Sequence, residues 1–344
     1  MKKVLALVLV VVMLFGLAAC ANKPADPTAT EATKAPNATE ATKKPEEAAK
    51  KFTIGICQYM PHPALDQATK GFKEAVIKEL GEANVTFNEQ NAAGEASNCS
   101  TIVNGLVSSE VDLIMANATP ALAAAYNATE TIPILGTSVT EYGVALGIKD
   151  FSGTVGANVS GTSDLANLDK QAQMILDWFP ETKKVALLYC SGEANSKYQV
   201  DKVAEYLQGK NIETKMFAFA DSSDMMAVTT SACDYADVIY VPTDNAVANN
   251  ATAIDSIARA AKKPIIAGEA DTCKGCGVAT LSIDYYDLGY TTGMMAVKIL
   301  RDGADITKMP IEYAPKETPL YNEEICKALN ITPLEGYEKL AVEG

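Results

Sequence analysis

Residues 238–245 have the sequence V-I-Y-V-P-T-D-N, in which an apolar, β-branched run stops at a proline and small polar residues follow. The same pattern recurs at 112–120 (D-L-I-M-A-N-A-T-P), 132–140 (I-P-I-L-G-T-S-V-T) and 185–193 (V-A-L-L-Y-C-S-G-E). A buried parallel strand has such an apolar run, and α/β proteins bind ligands just beyond the carboxyl ends of these strands. We therefore expect the polar residues after these four strands to face one another across a cleft.

The composition is that of a globular protein with room for two domains. The chain has 344 residues, of which 48% are hydrophobic and 21% are charged, enough for two domains that each have a core. The formal net charge is −14. This charge argues against nucleic acid as a partner, because phosphates require a basic surface.

The first twenty residues have the pattern of an export signal. Two lysines follow Met1, residues 4–17 are apolar, and residues 17–20 have the sequence L-A-A-C. The apolar run is short for a membrane span. The L-A-A-C sequence resembles a bacterial lipobox, which implies that Cys20 is lipidated and anchors the mature chain to the outer face of the cell membrane. The alternative is an ordinary signal that is cleaved after Ala19.

Residues 21–50 contain almost no side chain that could pack in a core. The sequence A-T-E-A-T-K-A-P at 29–36 is nearly repeated at 38–45, and apart from alanines the segment has no aliphatic or aromatic side chain. Such a segment cannot offset its ordering entropy by burial. We predict a disordered tether between the anchor and the folded body.

From Phe52 onward, short apolar strands alternate with segments of helical spacing. This alternation predicts a parallel sheet with helices on both faces. The first series has strands at 52–57, 85–87, 113–116 and 134–135, and helices at 63–80, 100–107 and 120–127. A helix at 164–179 leads into a second series, with strands at 185–189, 212–217, 238–241 and 265–266 and helices at 196–208, 223–233 and 246–261.

The predicted fold class is therefore α/β, with two doubly wound parallel-sheet lobes and a ligand cleft between them. A strand at 278–283, a helix at 286–300, a strand at 311–313 and a helix at 323–329 complete the chain. The pattern alone does not assign these last elements to one lobe or the other.

Residues that follow the predicted strands are the candidate ligand-binding residues. They are small, polar or acidic, and they come from both lobes. Those of the first lobe are Gln58, Thr119, Thr137, Ser138 and Thr140, and those of the second lobe are Glu193, Asn195, Ser196, Thr243, Asp244, Asn245 and Glu269.

The chemistry of these residues suits a ligand that carries both charges. Unpaired N–H groups at a helix N-terminus bind anions, so a ligand carboxylate is expected at 118–119 or 137–138. A ligand ammonium requires a charged acceptor, for which Asp244 is the first candidate and Glu269 the second. Asp244 could instead cap the helix that follows it, and Thr119, Ser138 and 195–196 could likewise be caps or turn formers.

His62, the only histidine, lies between two prolines. No nucleophile or second base accompanies it at a recognisable spacing, so a catalytic role is not expected. We expect it to fix the loop after the first strand, and a contact in the cleft stays open.

Five motifs carry a resemblance to one protein family. They are Q-Y-M-P-H-P-A-L-D at 58–66, A-T-P at 118–120, T-S-V-T at 137–140, G-E-A-N-S at 192–196 and P-T-D-N at 242–245. In this order and spacing the chain resembles ABC-transporter substrate-binding proteins of the type I periplasmic-binding fold, a group that includes tryptophan- and other aromatic amino-acid-binding lipoproteins. The likeness covers about residues 52–335.

The resemblance implies a chain that crosses between the lobes three times, near 158–164, 268–274 and 308–312. Residues 51–160 plus 272–308 would then form lobe I, and 161–271 plus 309–344 would form lobe II. It also implies an acidic residue followed by proline where the chain has Glu141-Tyr142, which leaves the conformation of that loop open.

The function that the resemblance implies is binding without catalysis. Two lobes would close around a small ligand, both contributing contacts, and deliver it outside the cytoplasm to an ABC permease, without cofactor or metal. The alternative is a sensor whose closure is recognised by a membrane receptor. The resemblance favours an aromatic amino acid as the ligand, with other amino acids or small amphipathic solutes as alternatives. The chain itself offers Tyr59, Tyr126, Tyr142 and Tyr198 as stacking candidates.

Seven cysteines remain besides Cys20. The C-K-G-C sequence at 273–276 lacks a second pair of zinc ligands and lies away from the start of a βαβ unit, where a thioredoxin-like centre would be. A local disulfide between Cys273 and Cys276 stays open. The others, Cys57, Cys99, Cys190, Cys233 and Cys326, are predicted to be small core residues.

Overall fold

The computed structural model describes residues 50–314 and 316–341. The export signal, Cys20 and the tether as far as residue 49 lie outside these residues. Within the described ranges, no helix is long and apolar enough to cross a membrane.

Strands and helices alternate along most of the described chain. The strands are β1 (Phe52–Gln58), β2 (Val85–Asn91), β3 (Leu113–Asn117), β4 (Ile134–Val139), β5 (Val159–Ser163), β6 (Lys184–Cys190), β7 (Glu213–Phe219), β8 (Val238–Val241), β9 (Ile265–Ala267), β10 (Ala279–Ser282), β11 (Glu312–Tyr313), β12 (Thr318–Tyr321) and β13 (Glu338–Lys339). The helices are α1 (Pro63–Leu80), α2 (Ala96–Ser108), α3 (Thr119–Ala128), α4 (Tyr142–Leu146), α5 (Leu168–Trp178), α6 (Ala194–Gly209), α7 (Ser222–Tyr235), α8 (Asn245–Asn249), α9 (Ala251–Ala260), α10 (Ala270–Cys276), α11 (Tyr285–Leu300) and α12 (Glu323–Leu329).

These strands form two sheets of the same design. The first has the order β11-β5-β4-β3-β1-β2 and the second has the order β13-β12-β10-β9-β8-β6-β7. The order β2-β1-β3-β4-β5 in the first sheet returns as β7-β6-β8-β9-β10 in the second, and all of these pairs are parallel. The predicted fold class of two doubly wound lobes is confirmed. Lobe I is the first sheet with its helices, and lobe II is the second.

Helices cover both faces of each sheet, which explains the continuous apolar strands in the sequence. In β3, Leu113 and Met115 pack in the same apolar cluster as residues of α1 and α11. Ile114 and Ala116, which alternate with them, pack in the cluster that contains residues of α2 and α3. The core of lobe I therefore lies on two sides of its sheet.

The crossings between lobes lie later in the chain than the resemblance implied. β5 extends lobe I to residue 163 instead of 160. β10 pairs with β9, so residues 272–282, which were expected in lobe I, lie in lobe II. β11 pairs with β5, so 309–313 lie in lobe I instead of lobe II. Each segment adds a strand to the sheet before it leaves, which gives its backbone groups hydrogen-bond partners.

The single helix predicted for 246–261 is two helices. α8 ends at Asn249 and α9 begins at Ala251, because Asn250 between them has a non-helical φ of −119°. The short helices α4 and α10 were not predicted.

Candidate functional site

A small polar cavity lies between the lobes. Its volume is about 10 Å³, which is room for about one water molecule. Its lining comes from segments at or just after the carboxyl ends of seven strands, the position expected from the sequence. Lobe I contributes His62, Leu65, Ser138 and Thr140, the segments that cross between the lobes contribute Asp164 and Tyr285, and lobe II contributes Asn195, Thr243, Asp244, Asn245, Ala248 and Glu269.

The cavity brings together seven of the twelve candidate residues: Ser138, Thr140, Asn195, Thr243, Asp244, Asn245 and Glu269. The other five are buried but are not in its lining: Gln58, Thr119, Thr137, Glu193 and Ser196. Sequence reasoning missed Asp164 and Tyr285. Asp164 directly follows β5, so the rule of polar residues after strands would have found it if β5 had been recognised.

Asp244 has both carboxylate oxygens bonded to backbone N–H groups. Oδ1 accepts from Val247 N at 2.9 Å, and Oδ2 accepts from Cys190 N at 2.7 Å. Asp244 therefore caps α8, the alternative that the sequence left open. It also ties the end of β6 to the start of α8.

The two glutamates near the cavity also accept hydrogen bonds from the protein. Glu269 caps α10, accepting from the backbone N–H groups of Asp271 at 2.6 Å and of Thr272. Glu193 lies behind the wall and accepts from the backbone N–H groups of Asn245 at 3.1 Å and Ala246 at 2.9 Å. These contacts fix the start of α8 and of α10.

Asp164 differs because one of its oxygens has no partner among the residues that the structure describes. The Tyr285 hydroxyl donates to Oδ2 at 3.0 Å, whereas Oδ1 is buried without a hydrogen-bond partner. Burial raises the pKa of Asp164 to about 6. Asp164 and Tyr285 lie on two of the segments that cross between the lobes, so their hydrogen bond joins the two crossings.

Unpartnered polar atoms concentrate at this cavity. Buried polar atoms are almost always hydrogen-bonded in proteins. Of the nine buried side-chain polar atoms without a partner in the described ranges, four belong to residues of the cavity lining. They are His62 Nδ1, Ser138 Oγ, Asp164 Oδ1 and Asn195 Oδ1.

The cavity is acidic. Asp164, Asp244 and Glu269 line it, and within the described part of the chain its lining includes no lysine or arginine. Burial raises the pKa of Glu269 to about 7, and burial and the neighbouring Asp244 raise the pKa of Glu193 to about 8. This charge distribution favours a ligand with a positively charged group.

One hydrogen bond crosses directly from lobe I to lobe II at the cavity. His62 Nε2 lies 3.1 Å from Asn245 Oδ1. Burial lowers the pKa of His62, so the ring is neutral at neutral pH. The contact in the cleft that the sequence left open for His62 is present.

The four tyrosines proposed for stacking are absent from the cavity lining. Tyr142 is buried in the lobe I core, where it stacks on Phe151 with 6.4 Å between ring centroids and donates to the Thr162 carbonyl at 3.0 Å. Tyr126 packs against the same core.

The loop at Glu141-Tyr142, whose conformation the sequence left open, starts a short helix. Glu141 caps α4 by accepting from Gly143 N at 3.1 Å and from the next backbone N–H.

The seven cysteines of the described ranges are free and buried. Cys273 Sγ donates to the Gly277 carbonyl at 3.5 Å, and Cys276 Sγ donates to the Thr272 carbonyl at 3.4 Å. The disulfide that the sequence left open is therefore not formed. No group of three or more His, Cys, Asp or Glu residues in these ranges is arranged to hold a metal ion.

Comparison with known proteins identifies the family. The model of the ABC transporter substrate-binding protein family matches residues 53–343. The chain belongs to this family. The resemblance seen in the five motifs is confirmed, and this substrate-binding protein therefore acts outside the cytoplasm with an ABC transporter.

Two proteins related to this substrate-binding protein bind aromatic amino acids. A tyrosine-binding protein of Clostridioides difficile (strain R20291) is 35% identical over 291 residues, which are 84% of each chain. The solved structure of an ABC domain from Streptococcus pneumonia in complex with L-Trp is 28% identical, with a TM-score of 0.80 over 84% of this chain and 99% of that one.

A third relative has been solved without a ligand. The ligand-free, open structure of a substrate-binding protein with adhesive properties from Clostridium difficile is 35% identical and covers 85% of this chain and all of that one. Its TM-score is 0.66, lower than that of the less identical L-Trp complex.

Proposed function

We propose that this protein captures an aromatic amino acid between its two lobes and delivers it to an ABC permease. The observation that carries the proposal is the concentration of unpartnered buried polar atoms at a cavity lined by both lobes. Polar atoms in such a position are satisfied when a polar ligand binds. The choice of an aromatic amino acid is supported by the tyrosine-binding relative and by the L-Trp complex.

Capture requires the lobes to separate and close. A cavity of about 10 Å³ is far below the roughly 300 Å³ of a small-molecule site, so an amino acid enters when the lobes move apart. The crossing segments are the natural hinges, and the His62–Asn245 hydrogen bond breaks on opening. A ligand that contacts both lobes then favours the closed form by the difference between its contacts in the two states.

The cavity suggests a role for each group of candidate residues. Asp164, instead of Asp244, is the charged acceptor for the ligand ammonium, because its Oδ1 is free. The hydroxyls of Ser138 and Thr140, with the uncapped first turn of α3 at Thr119, are suited to the carboxylate. Among the remaining candidates, Thr243, Asp244, Asn245 and Glu269 form the wall of lobe II, and Gln58, Thr137, Glu193 and Ser196 hold the wall in place.

The site is proposed to bind and release its ligand unchanged. His62 donates to an amide oxygen, and two of the three carboxylic acids of the lining are bonded to backbone N–H groups as helix caps. These contacts suit a rigid binding wall and not the transfer of protons.

A ligand panel tests the proposal. Isothermal titration and thermal shift with L-tryptophan, L-tyrosine and L-phenylalanine should show binding, and L-glutamate and D-glucose are the controls. A ligand at about one hundred times its Kd stabilises the folded state by about 2.7 kcal/mol. If no aromatic amino acid raises Tm while a sugar or an acidic amino acid does, the proposed ligand class is wrong.

We also propose that Cys20 is lipidated and anchors the protein at the outer face of the membrane. The L-A-A-C sequence and the family support this position. Cells that express the full chain should hold it in the membrane fraction, and Cys20→Ala should release it or leave it unprocessed. An unchanged membrane fraction in Cys20→Ala would contradict the anchor.

A further inference from the structure

Three of the four unpartnered atoms at the cavity are hydrogen-bond acceptors that come from three parts of the molecule. They are His62 Nδ1 from lobe I, Asp164 Oδ1 from a crossing segment and Asn195 Oδ1 from lobe II. The three residues are between 3% and 8% exposed. All three residues line the same cavity, which has room for about one water molecule.

The surrounding hydrogen bonds fix His62 Nδ1 as an acceptor. Asn245 Nδ2 donates to Glu193 Oε2 at 2.7 Å, so the Asn245 side chain turns its Oδ1 toward His62. An amide oxygen cannot donate, so His62 Nε2 carries the hydrogen in their 3.1 Å contact. In the neutral ring, Nδ1 is then an acceptor without a hydrogen.

The orientation of Asn195 is fixed in the same way. Its Nδ2 lies 3.2 Å from Glu193 Oε2 and 3.2 Å from the Thr243 carbonyl. Both of these partners accept hydrogen bonds, which assigns the nitrogen to that side and leaves Oδ1 on the other. Asp164 Oδ1 is an acceptor by its chemistry, since Tyr285 donates to Oδ2.

We propose that His62 Nδ1, Asp164 Oδ1 and Asn195 Oδ1 together bind the primary ammonium group of the ligand. An ammonium has three N–H donors and no acceptor, so its donors match the three acceptors in number and kind, and Asp164 neutralises its charge. This inference rests on the proposed function, because it assumes an amino-acid ligand. It adds that the site is specific for an unmethylated amine.

The consequence is a link between amine recognition and closure. The three residues that carry the acceptors line one cavity when lobe I, the crossing segment and lobe II come together. A ligand that lacks one N–H leaves one buried acceptor without a partner in the closed form, which costs free energy. A secondary or tertiary amine therefore closes the lobes less completely than a primary amine does.

A methylation series on the wild-type protein tests the inference without any variant. The Kd values of L-tryptophan, N-methyl-L-tryptophan and N,N-dimethyl-L-tryptophan are measured by isothermal titration, together with the same series for L-tyrosine. Each methyl group should weaken binding by about tenfold or more. Equal affinity across the series would overturn the inference while the proposed function stands. Failure of both parent amino acids to bind would instead refute the proposed function.

A variant separates lost hydrogen bonds from steric exclusion by the methyl group. In Asn195→Ala one acceptor is gone and space is gained, so the penalty for the first methyl group should shrink to a few fold. Thr280→Val is the matched control, because Thr280 Oγ1 is buried and unpartnered but does not line the cavity. Its penalty should equal that of the wild type. A full penalty in folded Asn195→Ala would overturn the inference.

If Asn195→Ala does not fold, Asp164→Asn provides the second measurement. L-tryptophan and indole-3-propionic acid differ by the ammonium group. The wild type should prefer L-tryptophan, and Asp164→Asn should reduce this preference by about tenfold or more. An unchanged preference would place the ammonium elsewhere and overturn the inference.

Discussion

The buried carboxylates around the cleft differ in what their oxygens contact. Asp244 accepts two backbone hydrogen bonds at 2.7 and 2.9 Å, and Glu269 caps α10 through both of its oxygens. Asp164 has one oxygen bonded to Tyr285 and one without a partner. The first two residues therefore stabilise the fold around the site, whereas Asp164 has an oxygen left for a ligand.

This difference predicts opposite effects for two similar substitutions. Asp164→Asn should weaken the binding of an aromatic amino acid by about 2–5 kcal/mol, because a buried ammonium loses its charged partner. Its effect on stability should be small. Asp244→Asn should lower the free energy of unfolding by about 1–3 kcal/mol, because its amide group cannot accept from both Cys190 N and Val247 N. Isothermal titration measures the ligand affinity of both variants, and urea unfolding measures their free energy of unfolding.

Asp244→Asn is the matched control for Asp164→Asn, since both change a buried aspartate of the same cavity. A folded Asp164→Asn that binds the amino acid with wild-type affinity would exclude Asp164 as the ammonium partner. A large affinity loss in Asp244→Asn at unchanged stability would return that role to Asp244, the residue that the sequence favoured.

The position of most site residues could be predicted from the sequence, but their roles could not. Asn195 and Thr243 follow strongly apolar strands, so the end of the strand marks them. Asp164 follows β5, V-S-G-T-S, which has one aliphatic side chain and gives no strand signal. Helix caps and ligand-binding residues are also drawn from the same residue types, so the pattern at Asp244 could not distinguish a cap from an ammonium partner.

Among the elements, α11 is the helix through which the chain returns from lobe II to lobe I. It follows β10 of lobe II and packs on α1 of lobe I. The contact is close because glycines lie in it: a Cβ at Gly289 would overlap the Ala68 carbonyl, and a Cβ at Gly71 would overlap the Tyr286 carbonyl. Backbone therefore meets backbone along this pair of helices.

Gly289→Ala should lower the free energy of unfolding by about 3 kcal/mol, because α1 and α11 must move apart to admit the methyl group. Gly105→Ala is the control. Gly105 lies in α2 with no atom within 4 Å of an added Cβ, so alanine should stabilise the protein by about 0.5–1 kcal/mol through helix propensity. Urea unfolding measures both, and a Gly289→Ala variant as stable as Gly105→Ala would contradict the close packing.

The alternation of strands and helices could be predicted because the central strands, such as β3, β4, β6 and β8, are buried along nearly their whole length. The path between the lobes could not be predicted. β13 is two residues long, too short to show a period in sequence. β11 was predicted at 311–313, but its sheet is set by long-range pairing with β5. β10 is apolar enough to be predicted as a strand, but its sheet is set by long-range pairing with β9 and β12. The resemblance located the crossings to within about a dozen residues.

For the whole molecule, closure places carboxyl groups where water is excluded, and this links stability to pH. Burial raises the pKa of Asp164 to about 6 and of Glu269 to about 7, and burial with Asp244 raises that of Glu193 to about 8. In the unfolded chain these groups lose their protons near pH 4. Between about pH 4.5 and 7.5 the folded protein therefore holds protons that the unfolded chain has released.

The free energy of unfolding should fall as pH rises through this window, because stability decreases with pH wherever the folded state binds more protons. The lowered pKa of His62 makes stability rise with pH instead. It is one group against four, because burial also raises the pKa of Asp244. Carboxyl groups with lowered pKa values, such as Asp237 and Asp305, change the free energy of unfolding only below this pH range. The ligand-free protein should melt roughly 5 °C lower at pH 7.5 than at pH 5.

Differential scanning calorimetry at the two pH values checks this expectation, and Asp164→Asn provides the control. An asparagine does not titrate, so the difference in Tm between pH 5 and 7.5 should be smaller in the variant. Saturating aromatic amino acid should also narrow the difference in the wild type, because an ammonium beside Asp164 favours its charged form. A Tm that is equal or higher at pH 7.5 would mean that water reaches these carboxyl groups and that the ligand-free lobes stand open in solution.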